Sequence, residues 1–206
     1  MVILAMTKRQ QLIRLLADRS VKRGHFMLAS GKPSNVYIDA RITTMSPEGL
    51  ALAGPVVIEI VRSAGWVLNA VGGLTLGADP IAYSMSYTSN FMPPRIRAFS
   101  VRKEPKNYGT QKLIEGPFQS GDHVAVIEDV ITTGASALRA IDAIQKAGGL
   151  VEGVVALVDR EDGGREAIER AGYNVISVIR IGEITALIPD SDENQGSADE
   201  SSSLGM

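Results

Sequence analysis

The sequence predicts an α/β protein, in which a mainly parallel central sheet is flanked by helices. Three observations support this prediction. Strand-like and helical segments alternate between Trp66 and Arg180. The apolar run at residues 124–127 is typical of a strand that is buried on both faces. Glycine-rich or polar loops separate the segments, and successive strand–loop–helix units of this kind indicate a parallel sheet wrapped by helices.

The N-terminal part has a different pattern. Its predicted elements are a helix over residues 7–23, short strands over residues 26–28 and 36–39 around a turn at 30–33, and a helix over residues 48–63. Leu12, Leu15 and Leu16 have helical spacing. Ser46 is a suitable cap for the second helix, and Pro47 fits its first position.

The alternating part contains most of the predicted sheet. Strands are predicted over residues 67–71, 97–101, 124–127, 151–158 and 174–180, and helices over residues 80–86, 133–147 and 165–170. Residues 1–190 are expected to form a single domain. From Ser191 the composition becomes Ser-rich and acidic, so residues 191–206 are predicted to be disordered.

The composition excludes several classes of protein. The 206 residues include 21 basic and 23 acidic side chains, so no overall positive charge favours nucleic acid or anionic membranes. No cysteine is present, which excludes disulfides and thiolate metal sites and suits a reducing cytoplasm. No run of about 18 apolar residues or signal peptide is found. We therefore expect a cytoplasmic protein with no nucleic-acid or membrane partner, and Met6 is an alternative start.

The most informative segment is residues 124–136, where a buried strand leads into two adjacent carboxylates and a run of small and hydroxyl residues. Backbone amides at the start of the following helix can bind a phosphate. Glu128 and Asp129 can accept hydrogen bonds from ribose hydroxyls, so a ribose 5-phosphate fits the pattern. The predicted ligand-binding set is Glu128, Asp129, Val130, Ile131, Thr132, Thr133, Gly134, Ala135 and Ser136. The alternative is an ordinary strand end followed by a capped helix.

This segment resembles the phosphoribosyl pyrophosphate (PRPP) motif of type I phosphoribosyltransferases, which has four apolar residues, two acidic residues, two more positions and then Thr-Thr-Gly or Thr-Ala-Gly. The resemblance implies the type I phosphoribosyltransferase fold, PRPP as a substrate and a catalytic role for Asp129. Two competing phosphate motifs are excluded. Gly72 and Gly77 have P-loop spacing, but Ala78 and Asp79 replace the required Lys-Ser/Thr pair, and no G-x-G-x-x-G follows a strand.

A basic segment over residues 101–112 contains Arg102, Lys103, Lys106 and Lys112. Taken alone, the segment is more typical of a solvated charged turn than of a catalytic loop. It resembles the catalytic loop of orotate phosphoribosyltransferases, whose Arg-Lys-x-x-Lys run closes over pyrophosphate, and Arg102, Lys103 and Lys106 match that run. Tyr108 stands where the family commonly has histidine, and tyrosine cannot become cationic near neutral pH. The resemblance implies that Lys106 and Arg102 are catalytic and that Lys103 and Tyr108 contact PRPP.

Two glycine-containing segments resemble other parts of the same family. Gly72, Gly73, Leu74 and Thr75 are similar to its pyrophosphate loop, where glycines let backbone amides approach an anion. A tight turn that packs a helix is the alternative. Residues 28–39 resemble the N-terminal hood that covers the orotate ring, which implies that Tyr37 and Ile38 contact the base. Some members have a functional lysine where Ala29 stands, and Lys32 is either its substitute or an exposed turn residue.

The last matching residue is Arg160, at the end of a predicted strand. In the family an arginine here meets the orotate carboxylate, and a bidentate Arg–carboxylate pair explains that residue type. The alternative is a salt bridge with Asp159. The resemblance also assigns Thr132 to orotate.

The five segments occur in family order and cover about residues 7–190. Together they imply an orotate phosphoribosyltransferase that uses PRPP, orotate and Mg²⁺. They also imply a homodimer whose basic loop reaches the neighbouring site, and a hood made of residues 7–45 plus a C-terminal strand. A phosphoribosyltransferase for a purine or other base, and a PRPP-sensing regulator, are the rival hypotheses. A regulator should carry a further DNA-binding domain, for which the chain has no room.

Overall fold

The computed structural model describes residues 5–27, 31, 33–104 and 112–189. Several sequence predictions therefore lie outside the described residues. They concern Ala29, Lys32, Lys106, Tyr108 and the tail at residues 191–206, and they stay predictions.

The described residues form seven helices and eight strands. In chain order these are α1 (Lys8–Arg19), β1 (Val21–Met27), β2 (Pro33–Ile38), α2 (Arg41–Thr44), α3 (Pro47–Ser63), β3 (Ala70–Leu74), α4 (Ala78–Ser89), β4 (Arg97–Val101), β5 (Ile114–Glu115), β6 (His123–Ile131), α5 (Ala135–Lys146), β7 (Leu150–Asp159), α6 (Gly164–Arg170), β8 (Val175–Arg180) and α7 (Ile181–Thr185). Across these ranges, no helix is both long and apolar enough to cross a membrane.

The central sheet has six strands in the order β5-β4-β3-β6-β7-β8. All neighbouring strands are parallel except β4 and β5, which pair antiparallel. The predicted α/β class and mainly parallel sheet are therefore confirmed. The chain leaves β3 towards β4 on one side and leaves β6 towards β7 on the other. Ligands of such sheets bind where the strand order reverses, beyond the carboxyl ends of the strands, which here means the ends of β3 and β6.

Apolar side chains cover both faces of this sheet. One cluster joins α1, α3 and α4 to the sheet and includes Leu12, Leu16, Ile58, Ile81 and Met85. The other lies under α5 and α6 and includes Phe99, Ile141, Ile144 and Ile168. Burying one such side chain stabilises a fold by about 1.5–3 kcal/mol. The two clusters fix the positions of β3 and β6, whose carboxyl ends form the expected ligand site.

Helix α3 contains an internal proline, and α4 supports it there. The Ser84 hydroxyl accepts a hydrogen bond from the Gly54 amide at 2.8 Å and donates one to the Leu50 carbonyl at 2.5 Å. In a regular helix that amide and carbonyl pair with each other. Pro55 stands next to this position and has no N–H of its own. The hydroxyl therefore joins α3 to α4, the helix that follows the cleft-lining end of β3.

The predicted hood is a two-stranded antiparallel sheet of β1 and β2, with an irregularity between Arg23 and Phe26. The expected C-terminal strand of the hood is not found in the described residues, because α7 follows β8 directly. Glu183 accepts the Arg180 amide at 2.9 Å and pairs with Arg9 at 2.8 Å. Ile184 is fully buried. These contacts favour a helical turn packed on α1 over an extended strand.

Three boundaries differ from the sequence prediction in ways that matter for the site. Strand β3 covers Ala70–Leu74 rather than residues 67–71. Helix α1 ends at Arg19 rather than Arg23, because the backbone turns at Ser20, whose hydroxyl contacts that of Thr43 at 2.7 Å. Strand β6 runs on through both acidic residues to Ile131. The carboxylates are thus held by the parallel ladder with β7, where Glu128 pairs with Ala156.

Candidate active site

A cleft of about 260 Å³ lies at the carboxyl ends of β3 and β6, where the strand order reverses. Its walls come from the hood strand β2, the β3–α4 connection, the end of β6, the start of α5 and the residue after β7. The lining residues are Tyr37, Ile38, Asp39, Ala40, Arg41, Leu74, Thr75, Leu76, Gly77, Lys103, Glu128, Asp129, Val130, Thr132, Ser136 and Arg160. Segments far apart in the sequence therefore meet in one cleft.

The two carboxylates of β6 lie in a poorly solvated part of the cleft. Burial, and secondarily the charge of Asp129, raise the pKa of Glu128 to about 8. Its Oε2 atom is buried and has no hydrogen-bond partner among the described residues. Burial also raises the pKa of Asp129, although the Val130 amide donates to its Oδ1 at 3.0 Å. Unpaired buried acceptors of this kind are satisfied when a ligand supplies donors or a cation.

The segment after β6 has the form of an anion cradle. Gly134 precedes α5 with φ of 80°, a conformation that favours glycine, and a Cβ there would lie 2.7 Å from the Gly164 carbonyl oxygen. Thr133 Oγ1 accepts the Ala135 amide at 3.4 Å. Thr132, Thr133 and Ala135 are exposed. The first amides of α5 carry partial positive charge and can bind an anion.

One residue of the predicted cradle has a different role. Ile131 is 1% exposed, and its side chain belongs to the core cluster under α5 and α6. Only its backbone can contribute to the site.

The structure corrects the prediction for Gly72 and Gly73. Both residues lie inside β3 and are buried, rather than forming a loop over an anion. A Cβ at Gly72 would lie 2.3 Å from the Phe99 carbonyl oxygen, and one at Gly73 would lie 2.0 Å from that of Ile127. These glycines allow β3 to pack closely between β4 and β6, so the anion-binding part of this segment must come later.

That later part is Thr75 to Gly77. The Thr75 amide donates a hydrogen bond to the Val101 carbonyl at 2.8 Å, and the Thr75 hydroxyl donates one to Asp79 at 2.5 Å. The amides of Leu76 and Gly77 have no acceptor within the described ranges. They are therefore the donors that an anion can engage. Both residues lie outside the set predicted from the sequence, although the spacing of Gly72 and Gly77 marks the segment.

The basic loop is described only at its two ends. The Arg102 amide bonds the Leu113 carbonyl at 2.8 Å and closes the loop base. The Arg102 guanidinium lies 3.8 Å from Glu115 and does not line the cleft. Lys103 does line it, and Arg139 on α5 donates to the Lys103 carbonyl at 2.9 Å. The structure thus brings Lys103, but not Arg102, to the cleft of its own chain.

The hood contributes the opposite wall. Tyr37 and Ile38 line the cleft, and the Tyr37 ring lies 5.5 Å from that of Phe26. Asp39 and Arg41 also line it, joined by two hydrogen bonds of 2.8 Å. This pairing lowers the pKa of Asp39. The pair lies outside the set predicted from the sequence, where its signal is an Asp-x-Arg spacing directly after the hood strand.

Arg160 reaches the cleft from the end of β7. Its Nε donates to Asp162 at 3.0 Å, and its Nη2 donates to Ser34 at 3.1 Å. Its neighbour Asp159 is not its partner, because Asp159 accepts hydrogen bonds from Ser177 and the Glu161 amide. The alternative of an Asp159–Arg160 salt bridge is therefore wrong.

Two carboxylates of the cleft are suitable ligands for Mg²⁺. The described residues contain no group of three or more His, Asp or Glu side chains placed to bind a metal. Glu128 and Asp129 supply carboxylate oxygens, which Mg²⁺ prefers. Mg²⁺ commonly uses one or two carboxylates together with substrate phosphates and water, so the donor set fits that mode.

Comparison with known proteins gives consistent results. No family model matches the chain. An orotate phosphoribosyltransferase of Aquifex aeolicus is 46% identical over 182 residues, which are 87% of this chain and 98% of that protein. The crystal structure of Mycobacterium tuberculosis orotate phosphoribosyltransferase with Fe(III) dicitrate has a TM-score of 0.76 and 41% identity, covering 86% of this chain and 99% of that one. The same enzyme with PRPP gives a TM-score of 0.73 and 39% identity, covering 87% and 99%.

Proposed function

This chain belongs to the orotate phosphoribosyltransferase family, and from that premise we propose that the cleft at the ends of β3 and β6 is its active site. The family likeness confirms the predicted type I phosphoribosyltransferase fold. The enzyme transfers ribose 5-phosphate from PRPP to orotate, which yields orotidine 5′-monophosphate and pyrophosphate in pyrimidine biosynthesis. One observation carries the assignment of the cleft, namely that a carboxylate pair lies between two sets of anion-binding amides.

PRPP matches this arrangement group by group. The amides and hydroxyls of residues 132–136 hold the 5′-phosphate at the start of α5. Glu128 and Asp129 accept hydrogen bonds from the ribose hydroxyls. The amides of Leu76 and Gly77 bind pyrophosphate oxygens. The ribose hydroxyls thus lie beside Glu128 and Asp129, whose negative charge would repel a phosphate.

Glu128 is suited to a ligand that donates hydrogen bonds. With a pKa of about 8 it is mostly protonated in the free cleft at neutral pH. A hydroxyl donor or a cation at Oε2 favours its ionised form, so binding of PRPP with Mg²⁺ releases a proton. Mg²⁺, as the proposed cofactor, would neutralise charge on pyrophosphate while Glu128 and Asp129 hold the sugar side.

Transfer of the ribose places the largest new charge on the departing pyrophosphate. Lys103 lines the cleft and stabilises that charge. Lys106 and Arg102, from the loop of the neighbouring chain, are proposed to join it when that loop closes and excludes water. Because Arg102 is held near Glu115 outside its own cleft, we propose that the chain forms a homodimer in which the loop serves the neighbouring site. The absence of cysteine supports a place in the reducing cytoplasm.

The base lies between the hood and the end of β7. Tyr37 and Ile38 provide an apolar and aromatic surface for a planar ring, and Thr132 lines the same cleft. Arg160 supplies a cation for the carboxylate of orotate. Purine bases carry no carboxylate, so Arg160 favours orotate over the purine alternative.

The direct test is the loss of orotate absorbance when the protein is mixed with PRPP and Mg²⁺. We expect a loss that requires Mg²⁺. Lys106→Ala should lower turnover at least about tenfold, because a donor to the leaving group is removed. Lys146→Ala is the matched control, since Lys146 pairs with Asp142 on α5 at 2.7 Å outside the lining of the cleft. No absorbance loss despite PRPP binding would refute orotate as the substrate.

Gly77→Ala tests the anion loop together with the carboxylate pair. A Cβ at Gly77 would lie 2.4 Å from Cγ and Oδ1 of Asp129, so the methyl group must displace that carboxylate. We expect PRPP affinity to fall at least about tenfold, measured by calorimetric titration, because a bound hydroxyl loses its acceptor. Gly182→Ala is the control, since a Cβ there meets only Glu161 at 3.8 Å. Unchanged PRPP binding by a folded Gly77→Ala protein would contradict this geometry.

A further inference from the structure

The guanidinium of Arg160 is held on two sides by protein groups. Its side chain is only 7% exposed. Asp162 accepts from Nε at 3.0 Å, while the Ser34 hydroxyl and the Val36 carbonyl accept from Nη2 at 3.1 Å and 3.4 Å. Asp162 comes from the turn after β7, and Ser34 and Val36 come from the hood. The guanidinium therefore bridges two parts of the fold.

This arrangement decides which edge of Arg160 faces a ligand. A guanidinium has five N–H donors in a fixed plane. Nε and Nη2 are engaged, whereas Nη1 has no acceptor among the described residues. Since Arg160 lines the cleft, the Nη1 side is the part available to a bound carboxylate.

The backbone of the same turn is also fixed. Glu161 has φ of 60°, in the left-handed region that residues with a Cβ rarely adopt. Asp159 stabilises it by accepting the Glu161 amide at 2.8 Å, and Ser177 on β8 holds Asp159 at 2.9 Å. Such strain persists where the surrounding contacts determine the backbone. The turn thus places Asp162 beside Arg160 in one geometry.

We propose that Asp162 and Ser34 are positioning residues that fix Arg160 for the carboxylate of the base. This inference rests on the proposed function, in which Arg160 meets that carboxylate. Asp162 and Ser34 act through Arg160 and contribute to the selection of a carboxylate-bearing base over the same ring without one.

A purely electrostatic role for Asp162 predicts the opposite result. Its negative charge near a bound carboxylate opposes binding, so removing the charge alone should strengthen affinity. In our proposal the loss of a fixed guanidinium outweighs that gain when the side chain is deleted. Asp162→Asn removes the charge but keeps an oxygen that can accept from Nε. The two substitutions therefore separate geometry from charge.

The experiment compares two nucleotides that differ only in the carboxylate. Dissociation constants for orotidine 5′-monophosphate and uridine 5′-monophosphate are measured by calorimetry on the full chain. We expect Asp162→Ala to raise the constant for orotidine 5′-monophosphate about five- to tenfold, and Ser34→Ala about two- to fivefold, because each removes one contact to a charged donor. The constant for uridine 5′-monophosphate should not change, and Asp162→Asn should bind both nucleotides like the parent protein or more tightly.

Glu169→Ala is the matched control. Glu169 also accepts from an arginine Nε, at 2.9 Å from Arg165, and its side chain is 43% exposed against 39% for Asp162. It does not line the cleft. Equal losses for both nucleotides in Asp162→Ala, or tighter binding of orotidine 5′-monophosphate, would overturn the positioning role.

Arg160→Ala separates this inference from the function on which it rests. If Arg160→Ala leaves the preference for orotidine 5′-monophosphate intact, Arg160 does not bind the carboxylate and the proposed base site fails. If Arg160→Ala abolishes the preference while Asp162→Ala and Ser34→Ala retain it, the base site stands and the positioning role is refuted.

Discussion

Asp129→Asn is expected to lower kcat/KM for PRPP about 100-fold, because an ionised acceptor at the ribose is replaced by a donor. The Val130 amide donates to Oδ1 of Asp129 at 3.0 Å. The amide oxygen of the substituted side chain must take the Oδ1 position to keep this bond. Its NH₂ group then faces the ribose hydroxyls where a carboxylate oxygen stood.

Steady-state kinetics with PRPP varied at saturating orotate measure this effect. The fold should be unchanged, since the substitution keeps the volume and the bond to Val130. Asp142→Asn is the control, because Asp142 is an exposed carboxylate on α5 that pairs with Lys146. A folded Asp129→Asn enzyme with unchanged kcat/KM would remove Asp129 from the catalytic set.

Glu128→Gln is expected to stabilise the free protein at alkaline pH while weakening PRPP binding. Burial raises the pKa of Glu128 from 4.5 to about 8, so the folded protein holds a proton that the unfolded chain releases. The resulting stability is fully present below pH 4.5 and is lost as pH rises through about 8. Each unit of displaced pKa corresponds to about 1.4 kcal/mol, so the loss is on the order of a few kcal/mol. The glutamine side chain of the variant carries no charge and therefore does not undergo this loss.

Thermal unfolding of the free protein between pH 5 and pH 9, at about one-unit steps, tests this expectation. The Tm of the parent protein should fall more steeply with pH than that of Glu128→Gln, and the two should converge near the acid end. Glu59→Gln, at an exposed position of α3, should follow the parent protein. Parallel Tm profiles for Glu128→Gln and the parent would show that burial of Glu128 does not destabilise the folded protein at alkaline pH. Titration of the same variants with PRPP measures how far Glu128→Gln weakens PRPP binding.

Local sequence was sufficient for most of the fold and for most of the residues that line the cleft. Alternation and loop chemistry predicted five strands of the central sheet, and motif spacing predicted that Glu128, Asp129 and Thr132 would lie at its carboxyl edge. The two-residue strand β5 was missed because so short a segment has no periodicity. The C-terminal strand expected for the hood is not found among the described residues, where α7 follows β8 and Glu183 pairs with Arg9, a residue far away in the sequence.

Within the site, the errors share one physical cause. A glycine is required both where an amide approaches an anion and where two strands pack closely, and the local sequence is the same in each case. The groups that decide between these roles for Gly72 and Gly73 are the Phe99 and Ile127 carbonyls. The charge of Arg41 likewise lowers the pKa of Asp129 only because the tertiary fold brings the two residues near each other. Such contacts cannot be derived from periodicity.

The hydroxyl bridge between α3 and α4 has an evolutionary consequence. Ser84 satisfies one amide and one carbonyl beside Pro55, and a Cβ on Gly54 would lie 2.5 Å from its Oγ. A change at any of these three positions leaves the other two poorly suited to each other. We therefore expect Gly54, Pro55 and Ser84 to be exchanged together among relatives, as a single inherited unit that spans thirty positions of sequence.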